Sequence, residues 1–166
     1  LFAIILNITA GIGAFLLGFL DDLIGGKRTI QISNFGLIIA ALIAVLSPNR
    51  DLFELSIPFI GQLIITGKTF FWLAGILIGI FSGPNQSASR SLMARFIPKQ
   101  KENEFFGFFA FSGKATAFAG PFLLGYLTLA FGSQRYGIAV VLAFLVIGAL
   151  LLRSVDEKAG MAAAEA

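Results

Sequence analysis

Long apolar runs separated by short polar stretches dominate the chain. Five runs have close to the length that crosses a bilayer, at residues 1–20, 30–46, 70–88, 105–131 and 136–152. A membrane-spanning helix needs about 20 mostly apolar residues, with a range of about 17–25. Helices pair every backbone polar group internally, and the alternating pattern of a barrel strand is absent. The pattern therefore predicts an all-α integral membrane fold with five transmembrane helices.

The polar stretches between the runs differ in character. Residues 21–29 are short, charged and glycine-rich, residues 89–104 form a basic loop, and residues 132–135 form a tight turn. The longer connection at residues 47–69 contains an apolar patch, residues 57–65, that is too short to span. We expect this patch to be a folded loop, with a β-hairpin or an interfacial segment as the alternatives.

Lysine and arginine are divided unevenly between the two ends of the predicted helices. One side carries Arg50, Lys68 and Arg135. The other side carries eight basic residues: Lys27, Arg28, Arg90, Arg95, Lys99, Lys101, Arg153 and Lys158. Cytoplasmic loops hold the excess of basic residues in membrane proteins. The count therefore predicts that the N-terminus of the chain lies outside and the C-terminus lies in the cytoplasm.

Composition agrees with membrane insertion and narrows the chemistry. The 166 residues are 57% hydrophobic and 13% charged, against about 25% charged in soluble domains. The chain has neither cysteine nor histidine, which removes disulfides, thiol chemistry and histidine-based metal or proton chemistry. Since paired carboxylates in a cavity and a Walker-type loop are also absent, we expect no enzymatic activity, metal or cofactor. The net charge of +3 suits anionic lipid rather than nucleic acid.

The first connection carries a glycine and charge pattern, GFLDDLIGGKR at residues 18–28. It resembles the short cytoplasmic signature of the major facilitator superfamily, G-x-x-x-D-[RK]-x-G-R-[RK]. Leu23 and Gly26 stand where basic residues are usual. Four positions fall in register: Gly18, Asp22, Gly25 and Lys27.

The glycines and the basic residues of this loop have simple structural roles. Gly18 permits close helix approach, and the pair Gly25 and Gly26 permits a sharp turn. Lys27 and Arg28 are expected to hold the loop in the cytoplasm.

Asp22 sits at a helix end near the membrane surface. We expect its carboxylate to pair with a base from a neighbouring helix end, Arg90 or Arg95. In the superfamily such a cluster breaks and re-forms during the conformational cycle, and the resemblance implies the same role here. An ordinary charged turn is the alternative.

A second resemblance extends over residues 18–157. It rests on four stretches of sequence: GPNQSASRSLMARFIP from Gly83, EFFGFFAFSGKATAFAGP from Glu104, GSQRYG from Gly132 and VDE from Val155. Together they are similar to the C-terminal half of the vacuole-effluxer-like branch of the superfamily. The resemblance implies that residues 1–153 are part of a C-terminal transmembrane bundle, the last five of twelve helices. Residues 154–166 are expected to form a disordered cytoplasmic tail.

The resemblance also implies a function. The chain would be a fragment of a secondary active transporter that moves an amino acid or another small solute by alternating access. Its partners would be the solute, the lipid bilayer and the missing N-terminal half, in a bacterial inner membrane. A non-transporting structural or receptor-like membrane protein with the same fold is the alternative.

Lys114 is the single charge between Phe105 and Phe131. It lies nine residues beyond Phe105, or about 13–14 Å along a helix, which is close to mid-bilayer. A charge at that depth costs at least a few kcal/mol unless it has a partner or a wet cavity. Three roles are open: it binds an anionic group of the substrate, pairs with an acid of the missing half, or bonds backbone carbonyls.

Other polar and kinking residues occur in the same two predicted helices. Asn85 and Gln86 follow Pro84, which removes a backbone donor and bends a helix. They are candidates for substrate contact, with an inner gate or helix–helix hydrogen bonding as the alternative. Ser112 is a further candidate beside Lys114, and Pro121 is a second kink position.

Overall fold

Five long helices make up most of the chain. The computed structural model describes residues 2–47, 53–57, 61–65 and 67–165. Its helices are α1 (Phe2–Ile24), α2 (Gly26–Leu46), α3 (Gly67–Arg95), α4 (Glu102–Phe131), α5 (Gln134–Arg153) and the short α6 (Glu157–Glu165). A 3₁₀ turn, Lys99–Lys101, leads into α4. The predicted helical membrane fold is confirmed, while residues 48–52, with Arg50, lie outside the described part.

Among the described residues, four helices are long and apolar enough to cross a membrane: α1, α2, α4 with its preceding turn, and α5. The span predicted at residues 70–88 lies in α3, which is 29 residues long, or about 43 Å. The polar residues of its last third lower its mean hydropathy. The count of five crossings therefore stays a prediction.

The basic loop predicted at residues 89–104 is largely helical. Helix α3 continues to Arg95, and α4 begins at Glu102. The prediction was wrong here because charge alone does not end a helix, and the sequence RSLMAR contains mostly residues that are tolerated in helices. Arg90 and Arg95 consequently project from a rigid helix, about 140° apart around its axis.

A two-stranded antiparallel hairpin interrupts the helical order between α2 and α3. Its strands are β1 (Phe53–Ile57) and β2 (Gly61–Ile65), with Phe53 opposite Ile65. The hairpin, which was the alternative to a folded loop, is therefore correct. Five-residue strands are too short to span a bilayer.

Helix α3 is central to the packing. Helices α1 and α2 both pack on α3, α2 also packs on α5, and α4 packs on α5. A small core holds α2 and α3 together near the first connection, with Ile30, Ala88 and Leu92 buried and Phe96 and Leu152 against them.

Helices α1 and α3 approach closely at glycines. A methyl group at Gly13 would overlap the backbone of Ile80, and one at Gly83 would lie 2.8 Å from the Ala10 carbonyl oxygen. Gly79 and Gly83 have the G-x-x-x-G spacing that lets membrane helices meet backbone to backbone. Pro84 has no N–H, so the carbonyl of Ile80 lacks its usual helical donor. Helices α1 and α3 therefore approach most closely beside Ile80, whose carbonyl has no helical donor.

Helix α4 is the least covered element. None of its residues is buried within the described part of the chain, and Phe108, Phe111 and Phe118 are each more than 70% exposed. A helix that is apolar all round requires lipid or other protein against it. Its surface is thus available to lipid or to another part of a larger bundle.

The tail predicted to be disordered contains helix α6. Asp156 caps it, since its Oδ1 accepts hydrogen bonds from the N–H groups of Lys158 at 3.0 Å and Ala159 at 3.1 Å. The alanines that follow have the highest helix propensity. A methyl group at Gly160 would lie 2.9 Å from the ring of Phe96, so α6 packs closely on the residue after α3. The prediction missed the cap that starts this helix.

Candidate functional site

Lys114 lines an open space along α4 to which α3 contributes Arg90 alone, and both cations are exposed side chains. The volume of this space, called the Lys114 cavity below, is about 500 Å³. Its lining residues are Arg90, Phe106, Phe109, Ala110, Gly113, Lys114 and Ala117. That Lys114 faces a water-filled path stays a prediction, and the presence of Arg90 on the same space was not foreseen. Neither cation forms a hydrogen bond or ion pair with any residue that the structure describes.

Arg90 and Lys114 reach the Lys114 cavity from different helices. Arg90 lies five residues before the end of α3, and Lys114 lies twelve residues after the start of α4. Side chains on a helix tilt toward its N-terminus. Because α3 ends where α4 begins, Arg90 tilts toward the middle of the bundle and Lys114 tilts back toward Arg90.

Ser112 does not join Lys114. Two residues of separation place the two side chains about 200° apart on α4. The Ser112 hydroxyl donates instead to the carbonyl of Phe109 at 2.9 Å on its own helix. Ser112 is at the depth of Lys114 but on the opposite face.

Asn85 lines a second cavity, of about 440 Å³, among α2, α3 and α5. Ser89 also lines it, and the Ser89 hydroxyl donates to the Asn85 carbonyl at 2.7 Å. On the same cavity, the amide of Asn34 donates to the Leu145 carbonyl at 3.0 Å and so links α2 to α5. Gln86 is exposed on another side of α3. The predicted pathway residues are thus divided among different surfaces.

Both predicted kink positions lie inside continuous helices. Pro84 is fully buried in α3, and Pro121 lies within α4. Pro121 cannot donate to the carbonyl of Ala117, four residues earlier. Since Ala117 lines the Lys114 cavity, this backbone oxygen lacks its helical donor beside the cavity.

An ion pair joins the first connection to the end of α3, but through Asp21 rather than Asp22. Arg95 Nη2 lies 3.2 Å from Asp21 Oδ2, whereas Asp22 is exposed. The predicted pairing of Asp22 was wrong because one residue turns a helix by about 100°, which leaves Asp21 facing α3. Arg95 is the partner, and Arg90 lies in the Lys114 cavity instead. The other oxygen of Asp21, Oδ1, is buried and has no hydrogen bond among the described residues.

The turn itself depends on Gly25 and Gly26. Gly25 has φ 88°, which only glycine adopts readily. Gly26 is buried, and a methyl group there would lie 3.1 Å from Asp21 Oδ1 and 3.2 Å from Leu92. The predicted sharp turn is confirmed. Gly18, by contrast, has nothing within 4 Å of its Cβ position, so its predicted close contact is wrong for the described part of the chain.

The first connection also contacts the chain beyond α5, in what we call the loop–tail contact. The N–H of Gly26 donates to Glu157 Oε1 at 3.1 Å, and Lys27 Nζ donates to the carbonyls of Arg153, at 3.0 Å, and Val155. A carboxylate thus lies at the N-terminus of α2, and a cation at the C-terminus of α5. Each charge is favourable at its helix end.

Arg28 is exposed beside the loop–tail contact. It lines a polar cavity of about 660 Å³ with Arg153 and Lys158. The contact of Glu157 with the first connection was not predicted, although the opposite charges of Lys27 and Glu157 are a signal in the sequence.

Removing the Asp21 carboxylate is expected to destabilise the bundle. Because a hydrogen-bonded partly buried charge contributes about 1–3 kcal/mol, Asp21→Ala should lower the free energy of unfolding by roughly that amount. Thermal unfolding of the purified protein in detergent measures this change. Asp22→Ala is the matched control and should stay within about 0.5 kcal/mol of the parent. Equal losses for the two variants would contradict the assignment to Asp21.

Comparison with known proteins places the chain in a family. Residues 1–165 match the family described as Vacuole effluxer Atg22 like. An uncharacterized MFS-type transporter of Bacillus subtilis, YxiO, is 33% identical over 88 residues, which are 53% of this chain and 21% of that protein. Autophagy-related protein 22-2 of Emericella nidulans is 30% identical over 151 residues, 89% of this chain and 24% of that protein.

A further fungal relative has a similar extent. Autophagy-related protein 22 of Cryptococcus neoformans is 29% identical over 130 residues, which are 78% of this chain and 22% of that protein. The chain therefore spans about a quarter or less of the length of these curated relatives. No solved structure matches it.

Proposed function

The chain belongs to the Vacuole effluxer Atg22 like family, and on that premise we propose that it is the C-terminal part of a secondary active transporter. The complete protein moves a small solute across the membrane by alternating access, with two helix bundles rocking around a central site. The name of the Bacillus subtilis relative, an MFS-type transporter, supports this class. The observation that carries the proposal is the Lys114 cavity, where two cations without a described partner lie between helices of a membrane bundle.

The uncovered surface of α4 supports a second bundle as the partner. Helix α4 packs on α5 alone among the long helices, and none of its described residues is buried. We propose that an N-terminal half of the same polypeptide covers part of this surface and closes the Lys114 cavity. Lipid covers the remainder, because the exposed side chains there are large and apolar.

The ion pair and the loop–tail contact are the proposed gating elements. Both lie at the end of the bundle where α1 meets α2, and both join segments far apart in sequence, Asp21 to Arg95 and Gly26 to Glu157. The ion pair is partly buried, with Asp21 13% and Arg95 36% exposed, and contributes about 1–3 kcal/mol. Contacts of this kind can therefore break and re-form at low cost as the two bundles move.

The orientation of the protein and the membrane in which it lies are also proposals. The excess of basic residues at the α1–α2 end favours a cytoplasmic location for that end. We propose a bacterial inner membrane as the location. The solute is an amino acid or another small molecule, and the direction of transport is open.

A non-transporting structural or receptor-like membrane protein is the rival function. Such a protein has no need of a water path to Lys114. Cysteine labelling distinguishes the two. These 166 residues contain no cysteine, and any cysteine elsewhere in the full-length protein is first replaced by serine.

Lys114→Cys in the full-length protein is expected to react with a membrane-impermeant thiol reagent. Ser112→Cys is the matched control, since it lies at nearly the same depth on the opposite face of α4. We expect the Lys114→Cys variant to be labelled at least about tenfold faster than the Ser112→Cys variant, because thiolate formation requires water and polar surroundings. Equal and negligible labelling of both variants would favour the rival function.

A further inference from the structure

We propose that an anionic phospholipid binds where α2 begins and α5 ends, with its phosphate held by Arg28, Arg153 and Lys158. The site is the polar cavity of about 660 Å³ beside the loop–tail contact, called the Arg28 cavity below. The proposal goes beyond the transporter function and does not depend on it, because it concerns the surface that the protein presents to the membrane.

Helix lengths place the Arg28 cavity at the level of the lipid headgroups. Helix α2 has 21 residues and α5 has 20, so each is about 30 Å long, which matches the hydrocarbon core of a bilayer. The two helices pack on each other, and Lys27 Nζ joins the start of α2 to the Arg153 carbonyl at 3.0 Å. Arg28, near the start of α2, and Arg153, the last residue of α5, therefore lie where the hydrocarbon core ends.

The lining of the Arg28 cavity carries more bases than acids. Its charged residues are Lys27, Arg28, Arg153, Lys158, Asp156 and Glu157. Asp156 caps α6, and Glu157 accepts from the N–H of Gly26, the first residue of α2. Each acid thus lies at the N-terminal end of a helix, where the helix dipole offsets part of its charge. The lining is therefore positive overall.

Three of the four bases are available to a ligand. Lys27 is engaged by the carbonyls of Arg153 and Val155. Arg28, Arg153 and Lys158 are exposed, and their side chains form no hydrogen bond or ion pair with any residue that the structure describes. A guanidinium binds phosphate through two parallel hydrogen bonds, and an ammonium adds a point charge. Cations from α2, α5 and α6 thus line one space that suits a phosphate group.

An apolar strip on α5 leads away from the Arg28 cavity. Ser154 lines the cavity, and Leu151, Leu150 and Ile147 lie three, four and seven residues earlier, on the same face. All three apolar side chains are more than half exposed. A phospholipid has this same order of groups, with its phosphate at the bases and its acyl chains along the strip. A free phosphate would contact the polar end alone.

The charge of the Arg28 cavity favours an anionic lipid over a zwitterionic one. A zwitterionic headgroup has the same phosphate, but its ammonium group would lie beside three free cations, which repel it. An anionic headgroup brings no cation into the cavity. Anionic lipids are abundant in the cytoplasmic leaflet, where they attract basic residues near the membrane surface.

Lipid-dependent thermal unfolding of the full-length protein in detergent tests the proposal. The purified protein is delipidated and mixed with phosphatidylcholine, phosphatidylethanolamine or phosphatidylglycerol that have the same acyl chains. Phosphatidylglycerol should raise the unfolding midpoint by about 2–4 °C above its value in phosphatidylcholine. Phosphatidylethanolamine and soluble glycerol phosphate should not raise it. An equal rise with phosphatidylethanolamine would overturn the anionic class, and an equal rise with glycerol phosphate would overturn the lipid as the ligand.

Variants locate the binding site. The double variant Arg28→Gln with Arg153→Gln should lose the rise caused by phosphatidylglycerol. Lys99→Gln with Lys101→Gln is the matched control, because it removes two exposed bases outside the Arg28 cavity, and it should retain the rise. Midpoints in phosphatidylcholine report whether each variant is folded.

Three outcomes would overturn the assignment to the Arg28 cavity. The first is no rise in the parent, which is the result expected if acids elsewhere in the full-length protein neutralise these bases. The second is a rise that survives the Arg28 and Arg153 substitutions. The third is an equal loss in the control pair, which would show a response to overall surface charge. None of them bears on the transporter function, which solute flux tests separately.

Discussion

Gly13→Leu is expected to prevent stable assembly of the bundle. A methyl group at this position already overlaps the backbone of Ile80, and backbone atoms cannot rotate away as a flexible side chain can. Leucine must therefore force α1 and α3 apart along the interface that includes Gly79 and Gly83. Overpacking of a rigid contact costs about 1–3 kcal/mol and occasionally more. The loss of the neighbouring contacts adds to this cost.

Gly11→Leu supplies the matched control for Gly13. It is two residues away on the same helix, and nothing lies within 4 Å of its Cβ position. We expect Gly11→Leu to be recovered in folded form from the membrane, with an unfolding midpoint near that of the parent. Gly13→Leu should be recovered poorly or with a midpoint several °C lower. Equal behaviour of the two variants would mean that α1 and α3 are not in close contact.

The helices were predictable because a bilayer imposes a length and a polarity on each crossing. From residue 2 onward, the predicted spans lie within long helices, some of which extend further, as α3 does to Arg95. The ends of the helices were predicted too short, because polar residues near a membrane surface remain helical when they have hydrogen-bond or ion-pair partners. The short helix α6 could also have been predicted from the sequence, because Asp156 is a strong N-cap and precedes an alanine-rich segment.

The rotation of each helix was much harder to predict. Asp21 and Asp22 are adjacent, and sequence alone does not say which one faces α3. The superfamily signature favoured Asp22, whereas the packing of α1 on α3 selects Asp21. The separation of Ser112 from Lys114 is a different case, because helical geometry alone places them on opposite faces.

Contacts between distant segments required the folded structure. Arg90 and Lys114 are 24 positions apart on different helices, and only the fold shows that they line one space. The same applies to Gly26 and Glu157. The G-x-x-x-G spacing of Gly79 and Gly83 is visible in the sequence. That Gly13 of α1 packs against this segment is visible only in the fold.

Loss of transport in Lys114→Ala is the second large effect that we expect. A hydrogen bond to a charged group contributes about 1.5–3 kcal/mol, so removing it should slow transport by about 10- to 100-fold. Lys114→Arg keeps the charge and should retain part of the activity. Lys99→Ala removes an exposed base outside the Lys114 cavity and should transport like the parent.

The most direct measurement is solute flux in proteoliposomes that contain the full-length protein. Labelled amino acids, succinate and phosphate are loaded one at a time, and release is followed for the parent, Lys114→Ala and Lys99→Ala at matched protein content. The account predicts release of at least one of these solutes by the parent and by Lys99→Ala, and about 10- to 100-fold slower release by Lys114→Ala. Unchanged release by Lys114→Ala, or no release of any of these solutes by the parent, would contradict it.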